Sequence, residues 1–245
     1  MKLKNTILLA ATLTSLTAGA NAATLLFADN FNESPANELA STFNDNLAAT
    51  QSGTIVAGGP ISYTVSGTGN AAQHSNGGNQ LTLANFGDGN AGRVSLNNNF
   101  ATQANSLDLA VVFSVQVKSI TNFASDTSEW VSFSVGSSQN QFITGGVAGA
   151  LFRANGGTEA WIGGSSAAGP TWNADDYITI TLSGTGGVGS AFDGGGTVAT
   201  MQIGSTNIGT FTISQQSDAF VNFWASSPGG NFGVGNFDNL SVTAI

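Results

Sequence analysis

Tyr177–Ser183, YITITLS, alternates strictly: Ile178, Ile180 and Leu182 fall on one face, Tyr177, Thr179 and Thr181 on the other. A period of two marks a strand with one buried face, because successive side chains point to opposite sides of a sheet. The pattern recurs along the chain. Asp108–Lys118 (DLAVVFSVQVK) is dense in β-branched residues, and Trp130–Val135 separates Val131, Phe133 and Val135 from Trp130, Ser132 and Ser134. Similar runs are Leu25–Phe31, Thr54–Val65, Leu81–Phe86, Gly146–Ala154, Thr158–Ile162, Val198–Ile203, Ile208–Ile213, Ala219–Ala225 and Asp238–Thr243. Asn155-Gly156 between two of them predicts a hairpin that folds Thr158–Ile162 back on Leu151–Arg153. Val198–Ile203 and Ile208–Ile213 predict another. A helical period is visible near Asn32–Asn46, where Leu39, Phe43 and Leu47 recur. About a dozen short strands with so little helix predict an all-β fold, a two-sheet antiparallel β-sandwich.

Only 8% of the 245 residues are charged and 41% are apolar, so a large core is available. Net charge is −9. A row of phosphates cannot be neutralised by five basic residues, which excludes nucleic acid as a partner and disfavours anionic membranes. With no cysteine, disulfides, thiolate zinc sites and thiol catalysis are excluded together. Stability must then come from core burial, which suits one large domain.

Met1–Ala22 combines Lys2 and Lys4, the apolar Ile7–Leu16 and the small-residue site Ala20-Asn21-Ala22. That is the arrangement of a cleavable secretory signal, and it predicts export with a mature domain spanning 23–245. The basic residues left are Arg93, Lys118 and Arg153. No other apolar stretch is long enough to span a bilayer. Cell surface, extracellular space or periplasm are the expected locations.

Three segments carry a resemblance: Asp29-Asn30-Phe31, Leu151-Phe152-Arg153-Ala154-Asn155-Gly156-Gly157, and Phe237-Asp238-Asn239-Leu240-Ser241-Val242. The chain resembles the concanavalin A-like (laminin G-like) jelly-roll domains of exported bacterial proteins of the PEP-CTERM type. The resemblance implies a jelly-roll sandwich, with a Pro-Glu-Pro sorting signal beyond the closing strand. It also raises glycoside hydrolysis, because glucanases of this superfamily share an E-x-D-x-x-E strand that sets two carboxylates on one face. Glu33, Glu38, Glu129 and Glu159 do not form that pattern, and Asp175-Asp176 would point to opposite faces of a strand. The single histidine, His74, sits in a polar Gly/Asn stretch and is read as a solvated loop residue, with no nucleophile elbow anywhere.

Calcium is the metal whose ligands this composition supplies. If the first and last strands are neighbours, Asp29, Asn30, Asp238 and Asn239 would offer a structural Ca²⁺ site. Asp and Asn at strand ends also satisfy turn amides without any metal. Aromatic platforms on a polar face suit sugars. Trp130, sharing a face with Ser132 and Ser134, Trp172 in a loop, and Tyr177, sharing a face with Thr179 and Thr181, are the candidates for exposure. Trp161 is read as lying at a loop, and Trp224 shares a face with Phe220 and Asn222. Arg153 is expected to pair with Glu159 across the hairpin. The sequence therefore favours an exported, non-enzymatic surface or matrix module for structure or adhesion. The alternative is a carbohydrate-binding, lectin-like module, with extracellular polysaccharide or other envelope proteins as partners.

Overall fold

The computed structural model describes residues 23–31, 61, 63–66, 72–75, 80–86, 91–121, 130–226 and 232–245. The expected leader 1–22, the helical period at 32–46 and most of the run at 54–65 lie outside them. In chain order the elements are β1 (Thr24–Asp29), β2 (Tyr63–Ser66), β3 (Ala72–Ser75), β4 (Gln80–Phe86), β5 (Ala91–Leu96), α1 (Phe100–Leu107), β6 (Val111–Thr121) and β7 (Trp130–Gly136). A 3-10 turn at Ile143–Gly145 precedes β8 (Ala148–Phe152), β9 (Thr158–Ile162), β10 (Ser165–Ala168) and β11 (Tyr177–Ser183). The chain closes with β12 (Thr197–Ile203), β13 (Thr206–Ile213), β14 (Phe220–Ser226) and β15 (Phe232–Ala244).

These strands form two antiparallel sheets. One runs β13-β12-β11-β6-β15-β4-β3, with β1 also paired to β15, and the other runs β10-β9-β8-β7-β14-β5-β2. The two-sheet sandwich expected from the alternation is the observed fold. Its core is the set of inward residues that the period of two selects: Val111, Phe113, Val115 and Val117 of β6 and Val131, Phe133 and Val135 of β7 are all fully buried. Phe237 of β15 reaches across to the other sheet, with its ring 5.2 Å from Phe223 and 6.4 Å from Phe152. Phe223 in turn lies 5.3 Å from Phe133.

The hairpin at Asn155-Gly156 forms, with Leu151 opposite Glu159 and Phe152 opposite Thr158. β12 and β13 pair as the second expected hairpin. The first and last strands are neighbours, Asp29 lying opposite Leu240. β15 is longer than the sequence suggests, because Phe232–Phe237, which includes part of a glycine-rich stretch, is strand and not turn. Gly235 explains the composition: a Cβ there would lie 2.3 Å from Val131 Cγ1 of the opposite sheet, so the close crossing admits only glycine.

Three strands carry too weak an alternation to be read from sequence: β3, β5 and β10. β3 includes His74, which therefore lies opposite Leu81 in a ladder and not in a loop. The helix α1 also escapes the sequence reading. Asn99 caps it, accepting the amides of Ala101 at 3.1 Å and Ala219 at 2.9 Å on its side-chain oxygen. Asp108 ends it in the left-handed region, with φ 51°.

Candidate ligand-binding face

The outer faces of the two sheets differ in kind. That of the eight-stranded sheet is polar and paired, with Ser114 and Thr179 hydroxyls 3.3 Å apart and Thr200 and Thr210 hydroxyls 3.0 Å apart. That of the seven-stranded sheet carries three of the four tryptophans. Register aligns two rows of side chains across it. One row is Glu159, Leu151, Ser132, Trp224 and Arg93, and the other is Trp161, Gly149, Ser134, Asn222 and Ser95.

Trp130, Ile143, Leu151 and Trp224 form a second apolar cluster on this face, separate from the main core, with Trp161 packed against it. The Arg93 guanidinium lies 4.1 Å from the Trp224 ring centroid, a cation–π contact. The segment between β7 and β8 covers the centre. Its Phe142 ring sits 4.9 Å from Trp224 and 5.6 Å from Trp130, while itself remaining 39% exposed. Hydrogen bonds tie this segment down: Ser95 Oγ to Asn140 Oδ1 at 3.3 Å, Gln139 Nε2 to Leu96 O at 3.2 Å, and Asn222 Nδ2 to Ser138 O at 3.2 Å. Gln141 Nε2 donates to Gly145 O at 2.6 Å and closes the turn on itself.

Beneath that cover the polar groups are not satisfied. Among the described residues, seven buried side-chain nitrogen or oxygen atoms have no hydrogen-bond partner. Six of them belong to the two rows: Arg93 Nε, Ser132 Oγ, Ser134 Oγ, Trp161 Nε1, Asn222 Oδ1 and Trp224 Nε1. Each costs about 1–3 kcal/mol relative to a paired group. Such a concentration on one face calls for an explanation and singles this face out as the candidate site.

The residues singled out by sequence are not brought together. Trp130 shares a face with Ser132 and Ser134 as expected, but Phe142 covers it and leaves it 9% exposed, so it offers no open platform. Trp172 is half-buried, donates Nε1 to Arg153 O at 2.8 Å, and stands edge-on to Phe152 of the core. Tyr177 is exposed, at 41%, but it lies opposite Gln116 on the other sheet. Trp161 lies inside β9 and not at a loop, opposite Gly149. Trp161 and Trp224 become site residues only through the pairing of β9, β8, β7 and β14. The Arg153–Glu159 ion pair forms as expected, at 2.9 Å.

The expected calcium ligands do not converge. Asp29 is buried, at 3%, and points into the sandwich, where its carboxylate accepts the Phe31 amide and the Tyr63 hydroxyl, both at 2.7 Å. Asn30 is exposed. On β15, Phe237 and Leu240 take the inward positions, so Asp238 and the left-handed Asn239 (φ 50°) face outward. There Asp238 Oδ1 accepts the Asn239 amide at 2.7 Å, and Asn239 Nδ2 donates to Gln116 Oε1 at 2.9 Å. Two carboxylates on opposite faces of a sheet cannot share an ion, and this donor set does not fit Ca²⁺. Among the described residues, no group of three or more His, Asp or Glu side chains is placed to hold a metal.

The fold and this face define a β-sandwich with an aromatic and polar sheet face under a loop. No protein-family model matches the sequence, and no curated protein does. Solved structures do. An endo-1,3-beta-glucanase from Streptomyces sioyaensis is 11% identical, with TM-score 0.56 over 91% of this chain and 96% of that one. The Emp47p carbohydrate recognition domain is 12% identical, with TM-score 0.48 over 81% and 92%. A legume lectin-like domain from Entamoeba histolytica is 8% identical, with TM-score 0.47 over 74% and 88%. At these identities the glucanase shares the fold, a concanavalin A-like β-sandwich. The PEP-CTERM part of the resemblance has no counterpart among these matches.

Proposed function

We propose that this is an exported carbohydrate-binding protein whose site is the outer face of the seven-stranded sheet. One observation carries the reading: six unpaired buried polar atoms and three tryptophans share that face. A purely structural or adhesive module, the reading that the sequence favours, gives no reason to leave those groups without partners. The eight-stranded sheet is closer to what such a face looks like: Ser114 pairs with Thr179 and Thr200 with Thr210, and among its described residues one buried polar atom, Asn236 Oδ1, is unpaired. Sugars present apolar C–H faces that stack on aromatic rings and a rim of hydroxyls that both donate and accept. Trp161 and Phe142 supply the accessible rings. Glu159, Arg153 and Arg93 supply the rim. Lifting of the 137–146 segment gives a ligand access to Ser132, Ser134 and Asn222.

Binding without hydrolysis is the proposed activity. The one glutamate of the described strands, Glu159, is engaged by Arg153, so among the described residues no acid pair with a free general acid stands on the face. Titration calorimetry against a panel of soluble oligosaccharides tests the proposal, β-1,3-glucan oligomers included because the glucanase is named for that linkage. Trp161→Ala is expected to weaken binding by about 2 kcal/mol, roughly thirty-fold in Kd. Tyr177→Ala, on the other sheet, should leave it unchanged. If the intact protein retains no glycan, or Tyr177→Ala costs as much as Trp161→Ala, the site is wrongly placed.

A further inference from the structure

We infer that the ligand of this face is an acidic polysaccharide whose uronate carboxylate pairs with Arg93. The inference rests on the carbohydrate-binding reading and adds to it the chemical class of the sugar. Three described cations remain beyond the leader, and two have carboxylate partners: Lys118 with Asp175 and Arg153 with Glu159. Arg93 has none among the described residues, in a chain with fourteen acids. Its Nε is buried and unpaired, and its guanidinium is stacked on Trp224. Arg93 is half-buried, and stacking strips water from one face of its guanidinium, so a counter-ion there would replace the lost hydration. The missing partner is therefore an anion.

Position makes that anion part of the ligand. Arg93 ends the row that runs through Trp224 and Ser132, so a sugar lying along the row brings a ring substituent to the guanidinium. The planar fork of arginine matches a carboxylate in a two-point contact. The net charge of −9 works against any polyanion, so the preference rests on the one contact at Arg93. Polyanions are repelled in general, and only one that places its carboxylate on Arg93 gains a compensating contact.

The test uses the full mature protein and titrates an oligogalacturonate against a β-1,3-glucan oligomer of equal length, with an oligosaccharide sulfate as a third arm. A charged hydrogen-bond pair predicts roughly ten- to hundred-fold tighter binding of the uronate than of the neutral oligomer. That preference should weaken as salt rises. Arg93→Met keeps the apolar stem and should abolish the preference, Arg93→Lys should retain part of it, and Lys118→Met, on the opposite sheet, should retain all of it. Melting midpoints confirm that each variant is folded. The inference is overturned if neutral and uronate oligomers bind alike, if the sulfate binds best, or if Lys118→Met loses the preference as fully as Arg93→Met. Failure of every oligosaccharide to bind overturns the carbohydrate reading as well.

Discussion

Asp238 shows how far a residue's role depends on which way its strand faces. The Phe-Asp-Asn motif and its position in the last strand are legible in sequence, and so is the neighbour that β1 provides. The side of the sheet is not, because the left-handed Asn239 inserts an extra residue and shifts the register between Asp238 and Ser241. Facing outward, Asp238 is partly desolvated. That burial raises its pKa above the ordinary carboxylate value, against the lowering effects of the Asn239 amide and of Lys118, while nearby Asp175 adds to the rise. A carboxyl with a raised folded-state pKa binds its proton more readily folded than unfolded. Its contribution to stability therefore falls as pH rises from the unfolded value, about 3.9, through the folded one. Asp238→Asn removes that penalty and can still accept the Asn239 amide. The variant is expected to exceed the parent in urea midpoint at pH 7, with the advantage shrinking toward pH 4. An advantage that does not change with pH would assign it to something other than ionisation. Trp161 makes the same point about residues in another way. Sequence alone reads it as lying at a loop, and its place in one row with Ser134 and Asn222 exists only through the sheet order.

At the scale of elements, the segment joining β7 to β8 decides whether the tryptophan face is open. Nothing in SSQNQFITGG announces a cover, since its polar residues read as ordinary loop. The structure gives the segment specific work: the Gln139 and Asn140 side chains bind β5, the Ser138 carbonyl accepts from Asn222 of β14, and the Gln141 side chain closes the turn. Gly136 permits the handover from strand to loop, because a Cβ there would lie 2.5 Å from Gln141 Oε1. Phe142 is then held over Trp130 and Trp224. Phe142→Ala should shift tryptophan emission to the red. It should cost about 1 kcal/mol, well below the 3–5 of a fully buried phenylalanine, because the ring is partly exposed. Unchanged emission would mean that the ring does not shield the two indoles. The strands β7, β9 and β11 lie where the sequence sets them, while β6 starts three residues later than Asp108, which caps α1, and runs on to Thr121. The edge strand β10, all of whose residues are exposed, has no apolar face, and that of α1, Phe100, Ala104 and Leu107, is two turns long and partly alanine, too short a period to stand out in the sequence.

Across the whole molecule, stability rests on one inter-sheet core with no cross-link, since the chain has no cysteine. Phe237 is the joint, coming from one sheet and meeting Phe223 and Phe152 of the other. Phe237→Ala is expected to cost about 3–5 kcal/mol, a large share of the 5–15 that a domain typically has. Thermal or urea unfolding checks this, and a loss under 1 kcal/mol would mean that the joint repacks. Because the acidic donors of β1 and β15 lie on opposite faces, EDTA should leave the melting midpoint unchanged. A clear drop would reveal a cation site elsewhere in the chain.

What the sequence determined by itself was the layer architecture. A period of two, turn residues between short runs and the absence of cysteine leave few ways to bury so much apolar surface other than two stacked sheets. It also determined the inward residues of strands such as β9, β11 and β12, where burial follows parity, but not the second buried layer on β7, β8 and β14, whose outer faces are covered as well. The tertiary structure alone decided the proposed ligand face. Arg93, Ser132, Asn222, Trp161 and Trp224 come from four strands far apart in the chain, and they meet only through the strand order β9-β8-β7-β14-β5. Parity says which side of its own strand a residue takes, but it carries no record of which strand lies beside it.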